Sequence, residues 1–329
     1  MNGIIYSYIE KEAQKHAERH QIYHNSLEIE YQRNKKRINN PKDKEVKIPD
    51  YWIGDKKFNP FYVLKHVKQI SKSISKKLRD GTYEPLPPYT KKIDKKGGGK
   101  RTIAVYRIPD AAISNYIYHR LLAKNKHRFS SLAYAYRDDR NVHYAIQDIA
   151  IELKAYPRVF VSEFDFRDFF GSIEHEYLYK QLDQNGFQIS DFEKRIIKSF
   201  ISINQKGIPQ GTSISLFLAN LVCWKLDKAL EAEGLRFARY ADDTVIWSND
   251  YTKICKSFEI ISDFSNEAGV EINFSKSDGI SLLSKQGMPS EFYKTKEYIE
   301  FLGYKLSGEK ISIKDNSIKK IKKQISYLL

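Results

Sequence analysis

Two adjacent acidic residues interrupt a stretch that otherwise has the composition of a β-hairpin. Asp242 and Asp243 follow "LRFARYA" and precede "TVIWS", and Asp165 ends the alternating segment "RVFVSEFD". Neighbouring carboxylates repel each other when both are ionised. Phosphoryl transfer with two divalent cations needs a few converging carboxylates, and Mg²⁺ prefers oxygen ligands. The acids therefore indicate a metal-dependent phosphoryl-transfer site if the fold brings Asp165 next to Asp242; the alternative is a polar turn.

The charge of the chain favours a polyanionic partner. The 329 residues carry a formal net charge of +15, and residues 51–110 hold 15 Lys or Arg against 5 Asp or Glu. Proteins with such an excess of positive charge most often bind nucleic acid, and the alternative is a solvated, lysine-rich surface. The chain lacks an apolar run long enough to span a membrane, a secretory signal and a disulfide framework, so we expect a cytoplasmic location and no membrane partner.

Hydrophobic periodicity and turn residues predict the elements that must position these acids. The acids lie at the tip of a predicted hairpin, and a second strand–glycine turn–strand unit is predicted within residues 89–110. One or two N-terminal helices end near residue 38, and a basic amphipathic helix starts near residue 316. The other predicted helices cover residues 60–80, 110–124, 142–154, 214–232 and 252–268, and short strands are expected within 270–277, 279–283, 298–306 and 310–313.

Several ordered motifs resemble those of reverse transcriptases. The segments "FDFRDFFGSI", "PQGTSISLFLAN", "RYADD", "GVEINFSKS" and "FLGYKL" have the order and approximate spacing of the palm motifs, and "GGGKRTIAVYRIPDAAISNYIYHRL" is similar to the fingers of prokaryotic members. Leu216 follows Ser215 where retron and group II intron enzymes usually have proline, and retron signatures are missing. The resemblance is therefore strongest to defence-associated and abortive-infection reverse transcriptases, which are related to those two groups.

The resemblance implies an α+β fold, namely a right-hand polymerase with fingers and a palm built from an antiparallel sheet and helices. Because only 23 residues follow "FLGYKL", we expect a short or truncated thumb, one supplied by a partner, or a longer protein. The expected domains are a helical N-terminal extension with a basic linker (1–50), fingers (51–150), a palm with the catalytic acids (151–306) and the start of a thumb (307–329).

The resemblance also implies roles for the acids and a lysine. Asp165 and Asp242 would hold two Mg²⁺ or Mn²⁺ ions, with Asp243 as a third carboxylate and the backbone carbonyl of Phe166 assisting. Lys276 matches a lysine thought to protonate the leaving pyrophosphate, which is a general-acid role. Its alternative is a solvated lysine.

The resemblance also implies that further residues bind the substrate. Phe170 would be the steric gate that rejects a ribose 2′-hydroxyl, although it could be a core residue only. Gln210 and Gly211 would shape the floor under the incoming nucleotide. Arg101 and Lys92 would bind the triphosphate, with Lys91, Lys100 and Arg107 as alternatives. The primer grip would consist of Phe301, Leu302, Gly303 and Tyr304.

The sequence thus predicts an RNA-directed DNA polymerase that makes DNA from dNTPs by two-metal chemistry. Its expected partners are a noncoding RNA template, the DNA product and dNTPs, with a homo-oligomer or a partner protein left open, and its expected role is bacterial antiphage defence. The alternatives are a retron-type reverse transcriptase, an RNA-templated RNA polymerase, and a catalytically idle, RNA-binding or maturase-like protein.

Overall fold

The computed structural model describes residues 1–94, 98–285, 288 and 290–328. These residues form two compact units, each assembled from separate segments of the chain. The first unit comprises Met1–Ala123, Ile189–Asn204 and Pro209–Ser215, and the second comprises Lys124–Gln188, Gln205–Ile208 and Leu216–Leu329. Residues 95–97, which belong to the predicted glycine turn, lie outside the described residues.

Most of the predicted helices are confirmed within a few residues at each end. The N-terminal region is a single helix, and two helices between residues 175 and 201 were not predicted. The α-helices are α1 (Asn2–Arg37), α2 (Asp50–Gly54), α3 (Pro60–Arg79), α4 (Ile108–Asn125), α5 (Val142–Ala155), α6 (Phe169–Ser172), α7 (His175–Gln184), α8 (Asp191–Ile201), α9 (Ser213–Val222), α10 (Trp224–Ala232), α11 (Tyr251–Ala268) and α12 (Asp315–Leu328).

The single helix predicted for residues 214–232 is wrong, because the chain breaks into α9 and α10 at Cys223. The break withdraws backbone groups from helical hydrogen bonding, and these need other partners when buried. The hydroxyl of Tyr177 donates to the carbonyl of Val222 at 3.2 Å. Such a long-range contact is absent from any local sequence pattern, so periodicity alone predicted one helix.

The strands form mostly antiparallel sheets, as the sequence predicted. They are β1 (Tyr89–Asp94), β2 (Lys100–Val105), β3 (Arg158–Phe164), β4 (Phe166–Arg167), β5 (Arg236–Tyr240), β6 (Asp243–Ser248), β7 (Glu271–Ile272), β8 (Asp278–Ser284), β9 (Thr295–Lys296), β10 (Ile299–Phe301), β11 (Tyr304–Leu306) and β12 (Ile311–Ile313).

In the first unit, α3 packs along α1 and presents a basic outer face. The side chain of Asn59 caps the helix by accepting from the backbone N–H groups of residues 61 and 62. Val63, Val67 and Leu78 are buried on the inner side. The helix contains six Lys or Arg and no acid. We call its exposed residues at helical spacing the basic face of α3: Lys65, Lys68, Lys72, Lys76 and Arg79.

In the second unit, the largest sheet has the order β5-β6-β3-β8-β9 among the described residues. Its central strand β3 pairs antiparallel with β6 and β8, whereas β9 runs parallel to β8. Side chains of α5, including Ile149 and Leu153, share a buried core with Val161 of β3 and Trp247 of β6. Burial of these apolar surfaces stabilises the sheet and fixes the strand ends. The strands β10, β11 and β12 form a separate antiparallel sheet.

Across the described ranges, we find no helix with the length and apolar character that crossing a membrane requires.

Candidate active site

The predicted acidic hairpin is formed by β5 and β6. Tyr240 pairs with Asp243, so Ala241 and Asp242 make a two-residue turn and Asp243 begins the second strand. Ala241 has a φ of 62°, a left-handed conformation that is costly for a residue with a Cβ. The surroundings must therefore hold this turn in place.

A buried arginine holds the turn. The Arg239 guanidinium donates to both carboxylate oxygens of Asp227, at 2.7 and 2.6 Å, and both residues are fully buried. It also donates to the side-chain oxygen of Asn220 at 3.3 Å and to the backbone carbonyl of Ala241 at 3.0 Å. Arg239 therefore connects the acidic turn to α9 and α10 through hydrogen bonds that its planar, multi-donor group is suited to make.

The fold brings Asp165 to the same end of the sheet as the turn. The antiparallel register pairs Phe164 with Thr244, so the next residue on each strand is Asp165 or Asp243. Residues separated by almost eighty positions in the chain thus meet because β3 and β6 are neighbours. Asp165 is 8% exposed.

The segment after β7 encloses the backbone and the carboxylate of Asp165. The backbone N–H of Asn273 donates to the Asp165 carbonyl at 2.8 Å, and its side-chain amide donates to Oδ2 at 2.9 Å. The hydroxyl of Ser277 accepts from the Asp165 N–H at 3.1 Å. Lys276 places Nζ 2.9 Å from the same Oδ2. The motif "NFSKS" therefore supplies three side chains to one acid.

The charges of the three acids and of Lys276 act on one another. Asp243 is exposed at the start of β6, but partial desolvation of its carboxyl, together with the negative charges of Asp242 and Asp165, raises its pKa to about 6. The positive charge of Lys276 has the opposite effect on Asp243. The hydrogen bond from Lys276 to Asp165, and the charges of all three acids, raise the pKa of Lys276. The carboxylates thus form an anionic centre that favours cations.

The donor chemistry of this centre fits Mg²⁺ or Mn²⁺. In the described ranges, no group of three or more His, Cys, Asp or Glu side chains is placed so that it could hold a metal ion. Mg²⁺, however, usually binds through one or two carboxylates and completes its coordination with water and substrate phosphates. The register of β3, β5 and β6 places carboxylates of this kind, those of Asp165, Asp242 and Asp243, at one end of the sheet. The metal site itself stays a prediction.

Phe170 lies close to the acids in sequence, at the start of the short helix α6. Its half-buried ring packs edge-to-face against that of Phe169, with ring centroids 5.7 Å apart. Its carbonyl accepts a hydrogen bond from the N–H of Ile208 at 2.7 Å. A Cβ on Gly207 would stand 2.8 Å from that carbonyl oxygen, so this close approach requires glycine. Partial exposure leaves part of the ring accessible for a gating role, which stays a prediction.

Gln210 and Gly211 lie against β2 in the first unit. The carbonyl of Gln210 accepts from the N–H of Ala104 at 2.8 Å. Gly211 has a φ of 108°, and an added Cβ would lie 2.6 Å from the Ala104 carbonyl oxygen and 2.8 Å from a methyl group of Ile103. This position therefore requires glycine on both conformational and steric grounds.

The two basic residues predicted to bind triphosphate project from opposite faces of the β1–β2 ribbon. Arg101 pairs with Ile93 and Lys92 pairs with Thr102, and side chains alternate along a strand. Arg101 shares its face with Lys91 and with Ile103, the residue adjacent to Gly211. Of the two predicted residues, Arg101 therefore faces the side of the ribbon that approaches the Gln210–Gly211 loop.

The predicted primer grip is a β-hairpin. Phe301 of β10 pairs with Tyr304 of β11, and the turn residues Leu302 and Gly303 have φ values of 50° and 88°. Two consecutive positive φ values are typical of the tight turns that match the twist of paired strands. Phe301 is buried in the core and anchors the hairpin, while Tyr304 is half-buried.

Sequence reasoning missed the residues that hold the acids. Asn273 and Ser277 bond directly to Asp165, and Asn220, Asp227 and Arg239 hold the turn. All except Asp227 lie inside the motifs that carried the resemblance. A search for polar residues within apolar segments would have singled out Asn220 and Asp227, but not their common partner.

Comparisons with known proteins agree with this architecture. A family model described as reverse transcriptase (RNA-dependent DNA polymerase) matches residues 93–306, well over half of the chain. Solved telomerase structures share the fold. Candida albicans telomerase with a fragment of telomeric RNA has a TM-score of 0.51 at 14% identity, covering 78% of this chain and 49% of that one. Apo telomerase from Candida tropicalis has a TM-score of 0.52 at 12% identity, covering 76% and 53%. The fold is thus that of a right-hand polymerase.

The chain belongs to the reverse transcriptase family. Among curated relatives, it is 26% identical to the protein YkfC of Escherichia coli over 186 residues, covering 52% of this chain and 48% of YkfC. It is 28% identical to the retron Ec86 reverse transcriptase of Escherichia coli over 176 residues, covering 51% and 49%. It is 27% identical to the group II intron-encoded protein LtrA of Lactococcus lactis over 186 residues, covering 53% and 30%. The match thus spans about half or less of each relative.

Proposed function

We propose that this chain is an RNA-directed DNA polymerase that extends a DNA strand from dNTPs on an RNA template. The observation that carries the proposal is that Asp165, Asp242 and Asp243 lie together at one end of the sheet, where their charges act on one another. A protein that only bound RNA would gain no stability from like charges held together. Membership in the reverse transcriptase family supports the same reading.

Asp165 and Asp242 would hold two Mg²⁺ or Mn²⁺ ions, with Asp243 and the Phe166 carbonyl nearby. When bound, the two ions would neutralise the phosphates and stabilise both the attacking and the departing oxygen. The protein itself would mainly supply positioning and electrostatics, as in other phosphoryl transfers. Lys276, which is protonated at Nζ beside these acids, would give a proton to the leaving pyrophosphate.

Several residues implied by the family motifs would select the nucleotide. Phe170 would exclude a ribose 2′-hydroxyl and so favour dNTPs. Gln210 and Gly211 would form the floor under the nucleotide, and Arg101 would bind the triphosphate. Lys92 faces the other side of its ribbon and would contribute to a different phosphate contact. The hairpin at residues 301–304 would hold the primer end.

The basic face of α3 would bind the sugar–phosphate backbone of nucleic acid. Its five residues are exposed and make no ion pair with any residue that the structure describes. Unpaired lysines at helical spacing repel one another. Phosphates would offset this repulsion, and binding would weaken as salt rises because counterions are released when lysines contact phosphates.

The biological role that we propose is antiphage defence in bacteria, with a noncoding RNA as template. It rests on the resemblance of the sequence motifs to defence-associated reverse transcriptases, and the curated relatives are bacterial proteins. Under this proposal the protein acts in the cytoplasm with its RNA, dNTPs and DNA product. Residues 51–150 would form fingers, 151–306 a palm, and 307–329 the start of a thumb, after an N-terminal extension at 1–50. A plaque assay comparing hosts that express wild type or Asp242→Asn tests this role, and equal plating of phage would contradict it.

Primer extension tests the enzymatic proposal. Purified protein is given poly(rA) annealed to oligo(dT), with dTTP and either Mg²⁺ or Mn²⁺. We expect incorporation by wild type and a loss of about a thousandfold or more in Asp165→Asn and Asp242→Asn, because each change removes a charged metal ligand. Asp263→Asn, an exposed acid on α11, is the matched control and should retain wild-type incorporation.

Two outcomes would contradict this proposal. Equal incorporation by wild type and Asp242→Asn would indicate that the acids are idle and favour an RNA-binding protein. Incorporation of UTP in preference to dTTP would instead favour RNA-templated RNA synthesis.

A further inference from the structure

One oxygen of the Asp165 carboxylate takes two hydrogen-bond donors. Oδ2 accepts from the side-chain amide of Asn273 at 2.9 Å and lies 2.9 Å from Nζ of Lys276. Within the described part of the chain, no hydrogen bond or ion pair is made to the other oxygen, Oδ1. The carboxylate therefore has a fixed orientation with one oxygen held and one oxygen available.

The two donors differ in how firmly they are held. Asn273 is tied to Asp165 by a backbone hydrogen bond of 2.8 Å, and its own carbonyl accepts from the backbone N–H of Lys276 at 2.9 Å and of Ser277 at 2.8 Å. Its amide therefore comes from a structured turn. The side chain of Lys276, in contrast, is 67% exposed, and its long flexible stem alone brings the ammonium to Asp165. The amide is a fixed contact, whereas the ammonium is exchangeable.

We propose that Lys276 is an exchangeable counter-ion of Asp165, which it leaves when a divalent cation takes up that carboxylate, and that Asn273 is the positioning residue that keeps the carboxylate oriented during the exchange. The proposal rests on the proposed function, since it concerns the same acids. It adds a coupling: Lys276 becomes free to reach the leaving pyrophosphate only once Asp165 has received its cation. Oδ1 is available to a divalent cation, but the ammonium on Oδ2 would repel that cation and offset part of the carboxylate charge. The two cations therefore compete for Asp165.

This competition predicts opposite effects for two neighbouring residues. Removing the Lys276 charge should make divalent cations bind more tightly, because nothing then competes for Asp165. Removing the Asn273 amide should make them bind more weakly, because the carboxylate is no longer oriented. A general loss of structure would weaken binding in both variants.

Binding of Mn²⁺ to the full chain without nucleotide tests the proposal. The signal of free Mn²⁺ in electron paramagnetic resonance falls as the ion binds, so the measurement does not depend on activity. We expect Lys276→Met to lower the Kd about two- to fivefold, as suits the loss of an exposed ion pair. We expect Asn273→Ala to raise the Kd about tenfold, as is usual for residues that orient metal ligands.

The matched control is Lys256→Met. Lys256 is also an exposed lysine on the second unit and also makes a 2.9 Å ion pair, with Glu233 on the surface. Its removal changes the net charge as much as Lys276→Met does, and it should leave the Kd unchanged. Thermal melting of each variant confirms that it is folded, and Asn273→Ser, which also lacks the amide, replaces Asn273→Ala if the latter is not.

The outcomes separate this inference from the proposed function. Unchanged or weaker Mn²⁺ binding by Lys276→Met, or equal tightening by Lys256→Met, would overturn the exchange. Absence of Mn²⁺ binding that depends on Asp165 would overturn it as well. If the opposite effects are observed but no primer is extended under any condition, the exchange stands and the polymerase proposal fails.

Discussion

The acidic turn between β5 and β6 and the basic face of α3 carry opposite charges and differ in how they are restrained. Asp165 is held by Asn273 and Ser277, and the turn is held by a fully buried ion pair between Arg239 and Asp227. The lysines of α3 are exposed and are not paired with any residue in the described ranges. The charged residues of the acidic region are thus held by hydrogen bonds and a buried ion pair, whereas the lysines of α3 have no such contacts among the described residues.

This difference suits the two regions to two functions, catalysis and nucleic-acid binding. Chemistry at a phosphate requires groups that stay in position while the reaction proceeds, because reorganisation would cost free energy at that moment. Binding along a nucleic-acid backbone requires only charge that follows the phosphates, and it is independent of sequence. We therefore expect changes in the acidic region to alter stability, catalysis and nucleotide choice, and changes in α3 to alter affinity and its salt dependence.

The largest effect on stability should come from Asp227→Ala. The substitution leaves the Arg239 guanidinium buried without its carboxylate, which typically costs about 3–5 kcal/mol in the free energy of unfolding. Chemical denaturation measures this. Glu233→Ala removes the acid of the exposed pair with Lys256 and should cost less than about 1 kcal/mol. Equal losses in the two variants would show that the acidic turn is not held by this buried pair.

A smaller effect is expected when the basic face of α3 loses charge. Replacing Lys65, Lys68, Lys72 and Lys76 by Gln should reduce the slope of log affinity against log salt for single-stranded RNA by about 0.7 per lysine. Between 50 and 200 mM salt, the wild type should therefore lose on the order of fiftyfold more affinity than the variant. Fluorescence anisotropy with a labelled RNA oligonucleotide measures both quantities.

The control for α3 uses four exposed lysines that each pair with an acid. Replacing Lys180, Lys225, Lys228 and Lys256 by Gln removes the same net charge from the protein. These lysines are already neutralised, so the salt slope should change little. If both sets of substitutions reduce the slope equally, the total charge of the protein binds RNA and α3 has no special part in it.

The smallest effect should be on nucleotide choice. Phe170→Ala removes the ring proposed to meet a 2′-hydroxyl, and we expect the efficiency of rUTP use relative to dTTP to rise about tenfold. The salt slope for RNA binding should not change in this variant, and the α3 variant should keep wild-type nucleotide choice. Unchanged discrimination in Phe170→Ala would make the ring a packing residue only.

Much of this site could be predicted from the sequence because its chemistry is carried by short motifs. Local periodicity indicated β3, β5 and β6, and the acids at their ends marked the site. The contacts of Asn273 with Asp165, and of Arg239 with Asp227, depend on tertiary structure and have no local pattern. The same holds for the break at Cys223, where the hydroxyl of Tyr177 donates a hydrogen bond to the backbone carbonyl of Val222. Which side chains share a face of the β1–β2 ribbon depends on the pairing register of the two strands. A glycine-rich loop does not specify that register.

The position of a bound metal ion tests most directly whether Asp165 and Asp242 share a cation. Crystals soaked in MnCl₂ and measured at the manganese absorption edge would show the ion by anomalous scattering. We predict a peak within coordination distance of carboxylate oxygens of both Asp165 and Asp242, with Nζ of Lys276 moved away from Asp165. Manganese bound elsewhere only, or carboxylates of these two residues too far apart to share one ion, would show that they do not form a metal-dependent active site.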